Sequence, residues 1–309
     1  MSEQVLAVGG GANLVQLSIS GVALGAVYAL VALSFAVVLK ATGILNLLQG
    51  LLVMLGGFFT YQAHVRWGMP FWIAVAVAAV ACVLVGLVTH YLLFSRVKSG
   101  GVTGLFAILL VGIGMLEIGE ALVSTIWGAD PLPIQDPWGL ESWNVGGVII
   151  SQRNVWVVVI SLVLLVAFWF LFQKSGLGVA MRAAASDPEA AAAQGISGRF
   201  VTGLAWSIAA VVAVLAGMML STAVGGGAVN TLDGVAFVAL PALILGGVGS
   251  VGGSVLGGVI LGLAQTYAAG YASSSLGSGF SQVVPFLVMI IILVIRPRGL
   301  FGSPEVVRA

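Results

Sequence analysis

The 309-residue sequence predicts an all-α polytopic membrane protein of about eight to nine transmembrane helices, with a broken or re-entrant Gly-rich hairpin near 246–253. Three observations predict it. Apolar residues make up 60% of the chain and charged residues only 7%, against about 25% charged in an ordinary soluble domain. A chain this poor in charge cannot cover a water-exposed surface, and its mean hydropathy is +1.18. The apolar residues also gather in runs close to the roughly 20 residues that cross a hydrocarbon core.

In chain order the runs are 14–39, 44–61, 71–94, 102–126, 154–172, 201–224 and 282–295. A further stretch, 235–271, is too long for one span. It is interrupted by Gly246-Gly247-Val248-Gly249-Ser250-Val251-Gly252-Gly253 and reads as a hairpin whose arms cross or re-enter. Residues 1–13 have no basic start, unlike a cleavable signal peptide. The whole of 1–309 reads as a single transmembrane domain, with 173–200 a cytoplasmic loop within it.

Lys and Arg mark the cytoplasmic side of a polytopic protein. A cytoplasmic C-terminus puts Lys40, Arg96, Lys98, Lys174, Arg182, Arg199, Arg296, Arg298 and Arg308 inside, nine of the 11 basic residues, and leaves Arg66 and Arg153 outside. The outer loop 127–153 then carries Asp130, Asp136 and Glu141. Trp67, Trp72, Trp127, Trp138, Trp143 and Trp156 read as an interfacial belt, where indole rings lie in apolar surroundings with a wet N–H.

Several functions are excluded early. A net charge of +1 gives no electrostatic hold on nucleic acid. The single Cys82 forms no disulfide within the chain, and His64 and His90 are too far apart in sequence to suggest a metal cluster. No Lys follows a Gly, so there is no P-loop. Gly247-Val248-Gly249-Ser250-Val251-Gly252 fits a dinucleotide pattern but lacks the strand–helix unit, and position 272 is Ala where an acid is needed.

Polar residues within the spans are candidates for a solute path. Glu117 and Glu120 are three apart, on one helical face. Intramembrane acids are expensive and usually functional; the alternative is snorkelling to the outer interface. Asn46, Gln49 and Gly50 open the second span, where free helix N–H groups favour a carboxylate ligand. Hydrogen bonding between helices is the competing reading for Asn46 and Gln49, and Gln265 and Tyr28 are weaker candidates of the same kind. Asp233 reads as a cap or an outer-loop residue. A broken helix at membrane depth must line a cavity or be covered by protein, which brings Gly249 into the candidate path. Gly253-x-x-x-Gly257 and Gly258-x-x-x-Gly262 suit close helix packing.

The longest cytoplasmic stretch, 173–200, differs from its surroundings. Either Ser186 caps a helix with Glu189 in a capping box, or Asp187 caps it with Pro188 at the first helical position. Four alanines follow, and Gly195 is placed to end the helix in a left-handed conformation. The result is a helix of about two turns, too short to be stable alone. Its two readings are a connector between spans and an element that docks on a partner. Adjacent spans need only a handful of joining residues, which favours docking.

These residues resemble a known family. Gly176-x-Gly178-x-Ala180-Met181-Arg182-Ala183, then Asp187-Pro188-Glu189-Ala190-Ala191 and Gly195-Ile196, resemble the cytoplasmic loop of branched-chain amino acid ABC transporter permeases. Gly25-Ala26-Val27-Tyr28-Ala29-Leu30 with Thr42-Gly43-Ile44-Leu45-Asn46-Leu47-Leu48-Gln49-Gly50 resembles the family's first spans. Leu245-Gly246-Gly247-Val248-Gly249-Ser250 followed by Gly252-Gly253-Ser254-Val255-Leu256-Gly257-Gly258 resembles its Gly-rich hairpin, and Arg296-Pro297-Arg298-Gly299-Leu300-Phe301-Gly302 its C-terminal end. The N-terminal pattern is that of the first of two permease subunits. One departure is Leu51, where the family usually carries an acid after the Gly50 position.

The resemblance implies a permease subunit of an ATP-driven importer for branched-chain or other small hydrophobic amino acids. It sits in the bacterial plasma (inner) membrane as a multi-pass protein. A second permease, two ABC ATPase subunits and an extracytoplasmic binding protein complete the machine, with lipid around it. ATP and Mg are held by the ATPases, with no cofactor in this chain and no enzymatic activity of its own. By the same resemblance Arg182, Asp187, Pro188, Glu189, Ala190 and Gly195 form the segment that contacts an ATPase. Asn46, Gln49, Gly50, Glu117, Glu120 and Gly249 are the expected substrate path. A permease of the same family for urea, short amides or carboxylates is the alternative. An ion-coupled secondary transporter also uses broken helices and buried acids but needs no ATPase dock. An intramembrane serine protease fits worst, since neither histidine lies at membrane depth beside a serine motif.

Overall fold

The structure is a computed structural model that describes residues 10–43, 45–96, 101–134, 138, 141–145, 148–223, 228, 232–247, 250–271 and 279–301. Helices dominate: α1 (Gly10–Thr42), α2 (Gln49–Tyr61), α3 (Phe71–Leu92), α4 (Gly101–Trp127), α5 (Gln152–Lys174), α6 (Gly176–Ser186), α7 (Pro188–Ala193), α8 (Gly198–Ala223), α9 (Leu232–Gly246), α10 (Val251–Tyr271) and α11 (Phe280–Ile295). Leu14–Thr42, Phe71–Leu92, Phe106–Trp127, Gln152–Lys174 and Gly198–Thr222 are long and apolar enough to cross a membrane; Gly234–Gly246 and Phe280–Ile295 are shorter apolar helices.

Two differences from the sequence reading stand out. The second apolar run begins as a turn, because the Asn46 side-chain oxygen accepts from the Leu48 backbone N–H (3.1 Å) and the helix starts only at Gln49. A π-helical turn, Gln62–Arg66, then continues α2. The loop 127–153 is also not wholly irregular. β1 (Ser142–Val145) and β2 (Val148–Ser151) pair antiparallel with Trp143 opposite Ile150, a small exception to the all-α expectation. The β-branched and aromatic residues on either side of Gly146-Gly147 are a hairpin signal.

The chain forms two compact units, and the boundaries between them fall inside α1, α5 and α9. The first comprises Met1–Ala32, Asp136–Val163 and Val238–Ala309. In it the small-residue repeat of α10 meets α1: a Cβ at Gly25 would lie 2.7 Å from the Gly258 carbonyl oxygen, and one at Gly258 2.7 Å from the Gly25 carbonyl oxygen. Backbones this close pack tightly without bulky side chains between them. Tyr28 donates to Gln265 (2.5 Å), and Ser18 bonds Tyr267 (2.8 Å). Tyr28 and Gln265 thus hold two helices together.

The Gly-rich stretch is broken, as expected. α9 ends at Gly246 and α10 begins at Val251, with the Ser250 hydroxyl accepting from Gly253 N–H (3.0 Å). Gly246 and Gly253 abut through their backbones, and Gly257 faces the Ala242 backbone. The chain beyond α11 then returns to the end of α9. Leu300 N–H donates to Leu245 C=O (2.8 Å) and Phe301 N–H to Gly246 C=O (3.1 Å). The turn that allows this runs through Gly299 at φ +74°, where any other residue would be strained.

The second unit comprises Leu33–Gln135 and Leu164–Phe237. α8 is its central helix: 72% of its most apolar window is buried, against 33% for α3 and 28% for α4. α2 lies along α8, where a Cβ at Gly56 would fall 2.6 Å from the Val214 Cα. α3 and α4 also pack on α2.

Candidate functional site

Two groups of sequence-predicted residues lie in the second unit, and the 173–200 segment is the more fully built. Here α5 ends at Lys174 and the chain turns directly into α6, an 11-residue helix absent from the sequence reading. Gly176 and Gly178 look like loop punctuation, yet Gly178 is what permits the elbow: a Cβ there would sit 2.6 Å from the Leu171 carbonyl oxygen. The Ser175 hydroxyl caps α6 by accepting from Gly178 N–H (3.1 Å). Met181 is buried, and α6 packs on α8.

Arg182 does not reach outward. Its guanidinium donates to the Phe172 carbonyl at the end of α5 and lies 5.9 Å over the Phe172 ring, whose centroid is 5.1 Å from the Lys40 ammonium. Phe172 therefore gathers two cations around one aromatic ring, and Arg182 fastens α6 to α5.

α7 is the predicted short helix, with six residues. Of the two possible caps, Asp187 is the one used. Its Oδ1 accepts from Glu189 N–H (3.1 Å) and Ala190 N–H (3.0 Å), with Pro188 at the first helical position. Ser186 instead ends α6, its hydroxyl donating to the Arg182 carbonyl (2.9 Å). At the other end Gly195 takes φ +82°. Gly195 N–H donates to Ala192 C=O (2.9 Å) and Ile196 N–H to Ala191 C=O (3.0 Å), the paired bonds of a Schellman motif. Ala191 is buried, whereas Asp187, Glu189, Ala190, Ala192 and Ala193 are exposed, and α7 packs on α6 and α8. A helix closed at both ends thus presents a small, acidic, alanine-rich face.

The second group surrounds the first turn of α2. Gln49 is fully buried and its amide donates to the Ala209 carbonyl on α8 (2.9 Å), while its Oε1 has no hydrogen-bond partner. Asn46 is 1% exposed, with its Nδ2 equally unpartnered. Gly50 is buried beside them. On α4, Glu117 is exposed and Glu120 half-buried. Between them Gly119 receives the side chain of Leu51, whose Cδ2 would lie 2.6 Å from a Cβ there. The residue that departs from the family pattern is therefore what seats the α2 start on the buried Gly119 side of α4, while Glu117 stays exposed. Glu117 lies ten residues before Trp127, about 15 Å along the helix axis. Gly249 lies outside the described residues, and Pro188 is described only in its backbone.

Among the described residues no three His, Cys, Asp or Glu side chains gather as a metal site.

A family model described as branched-chain amino acid transport system / permease component matches residues 17–293. The chain is 28% identical to the high-affinity branched-chain amino acid transport system permease protein LivH of Escherichia coli (strain K12), with 99% of each chain covered. It is 27% identical to the corresponding BraD protein of Pseudomonas aeruginosa, covering 93% of this chain and 95% of that one. A probable branched-chain amino acid transport permease protein LivH of Methanocaldococcus jannaschii is 23% identical, with 88% of each covered. Among solved structures, PsaBC from Streptococcus pneumoniae in complex with Fab superposes with TM-score 0.51 and 14% identity over 92% of this chain and 91% of that one, a likeness of fold.

Proposed function

The chain belongs to the family of branched-chain amino acid transport system permease components, and from that premise we propose that it is the lipid-embedded permease of an ATP-driven importer of branched-chain and similar small hydrophobic amino acids. It works with a second permease, two ABC ATPase subunits and an extracytoplasmic binding protein. All of 1–309 forms one permease domain with eight to nine crossings and a cytoplasmic C-terminus in the inner membrane, and this chain supplies half of the translocation path.

The observation that carries the reading is the doubly capped α7. It packs on α8, and α6, to which it is joined, is bonded through Arg182 to the end of α5. Force applied to the exposed face at Glu189 and Ala190 is thereby transmitted to two long helices at once. Closure of nucleotide-bound ATPases against this face would rotate them together and change which end of the path is open. ATP and Mg belong to the ATPases; this chain supplies the docking helix.

The path runs past Asn46, Gln49 and Gly50 at the start of α2 and past Glu117 and Glu120 on α4; the sequence pattern alone adds Gly249 to the candidates. A carboxylate as exposed on its own chain as Glu117 is costly against lipid, so that face of α4 meets the second permease or water in the path. Few fixed charges line the spans, which suits a compact, largely apolar solute better than a sugar or a polyanion.

The test is affinity capture of the tagged chain from native membranes, with Glu189→Lys as its partner variant. ATPase subunits should accompany the wild-type chain, and Glu189→Lys should abolish uptake while membrane insertion is retained. A lone homo-oligomer driven by an ion gradient, or normal uptake in the variant, would refute the proposal.

A further inference from the structure

The second unit contains a cavity of about 260 Å³ that shares Asn46 with the proposed path. It lies where the end of α1, the turn before α2, the end of α3 and the start of α8 converge, and its walls include Val38, Ala41, Asn46, His90, Phe94 and Trp206. Three of the residues that line it each carry a buried nitrogen atom with no hydrogen-bond partner: Asn46 Nδ2, His90 Nδ1 and Trp206 Nε1. Buried polar atoms are nearly always paired. Three orphans on one cavity, with Asn46 1% and Trp206 2% exposed, mark a place built to receive something polar.

The chemistry of the walls defines what that is. An amide NH2 and an indole N–H only donate, so the occupant must present acceptor oxygens. No Lys or Arg is among the lining residues to balance a bare anion, and no Asp or Glu to balance a bare cation. The indole of Trp206 lies between two other rings, 5.2 Å from His90 and 5.3 Å from Phe94, centroid to centroid. Aromatic faces attract an ammonium group, and His90 Nδ1 in its unprotonated form accepts from one. Val38 and Ala41 add an apolar wall. The volume falls below the roughly 300–1,000 Å³ of drug-sized pockets.

We propose that this cavity is a binding site for a net-neutral zwitterionic α-amino acid on the releasing side of the membrane. The carboxylate takes the N–H groups of Asn46 and Trp206, the ammonium lies against the aromatic cluster and His90 Nδ1, and the side chain meets Val38 and Ala41. Its side of the membrane rests on the orientation proposed above: Lys40, Arg96 and Arg199 all lie near the same helix ends. Cargo that has crossed would pause here before leaving for the cytoplasm.

The experiment is equilibrium binding of radiolabelled leucine to the complete transporter in lipid nanodiscs, without nucleotide or binding protein. Two truncated probes accompany it: 4-methylpentanoate, which lacks the ammonium, and isoamylamine, which lacks the carboxylate. Leucine should bind saturably and both truncated probes at least about tenfold more weakly, as expected when charged hydrogen-bonding groups lose their partners. Trp206→Phe keeps the ring and removes the donor. Asn46→Asp keeps the oxygen that Leu48 N–H requires and removes the NH2. Each should weaken leucine binding about tenfold, while the probe series on the wild-type transporter depends on no variant folding. Absence of saturable binding, equal binding of all three probes, or leucine binding unchanged in both variants would overturn the proposal. ATP-driven leucine uptake by the same preparation separates these failures from failure of the transport reading, because uptake then persists although the cavity holds only water.

Discussion

One carboxylate oxygen of Asp187 accepts the backbone N–H groups of both Glu189 and Ala190, at 3.1 and 3.0 Å, and so closes the first turn of α7. Six residues cannot hold a helix by themselves, so this cap decides whether the docking face exists. Asp187→Ala should remove about 1 kcal/mol of local stability and lower uptake several-fold. Asp187→Asn, which still caps, should retain most of it. Uptake by membrane vesicles at matched expression checks both.

The other end of α7 depends on Gly195 at φ +82°. A β-branched residue there forfeits about 1–2 kcal/mol and loosens the bond from Ile196 N–H to Ala191 C=O. Gly195→Val should therefore weaken ATPase capture, whereas Gly195→Asn, tolerant of the left-handed region, should weaken it less. Quantitative pull-down of the ATPase subunits measures the difference.

Leu51 and Gly119 make a size-complementary pair between α2 and α4. Gly119→Val should destabilise the protein by about 1–3 kcal/mol through overpacking. Leu51→Ala should restore part of that loss in the double variant, because the two sites share one space. Thermal unfolding of the four proteins in detergent gives the cycle, and strict additivity would count against direct contact.

At the α1–α10 crossing, a side chain on Gly258 would meet the Gly25 carbonyl and the Ala29 backbone. Gly258→Val should lower the unfolding temperature more than Gly252→Val, since a Cβ at Gly252 meets nothing within 4 Å. Equal shifts for the two would show that the crossing is looser than described.

Much of this was legible in the sequence, and the exceptions share a cause. The long apolar helices announced themselves by run length, and α7 by Asp187-Pro188 and Gly195, because capping is local chemistry. α6 was hidden because Gly176 and Gly178 suggest a loop, although Gly178 serves a tight elbow against the Leu171 and Phe172 carbonyls. The delayed start of α2 depends on one side-chain bond from Asn46 to Leu48, which hydropathy does not register. The polar candidates were readable as residue types but not as partnerships: Tyr28 and Gln265 lie far apart in the chain yet bond each other. His90 and Trp206 gave no signal of a shared site, because only the fold brings the two residues to one cavity.

The most direct measurement of the central claim is solute accumulation in proteoliposomes. Vesicles carrying the whole assembly, with binding protein and ATP, should concentrate labelled leucine, and vesicles carrying this chain without ATPase subunits should not. Concentrative uptake by the purified chain alone, in the absence of nucleotide, would contradict the account.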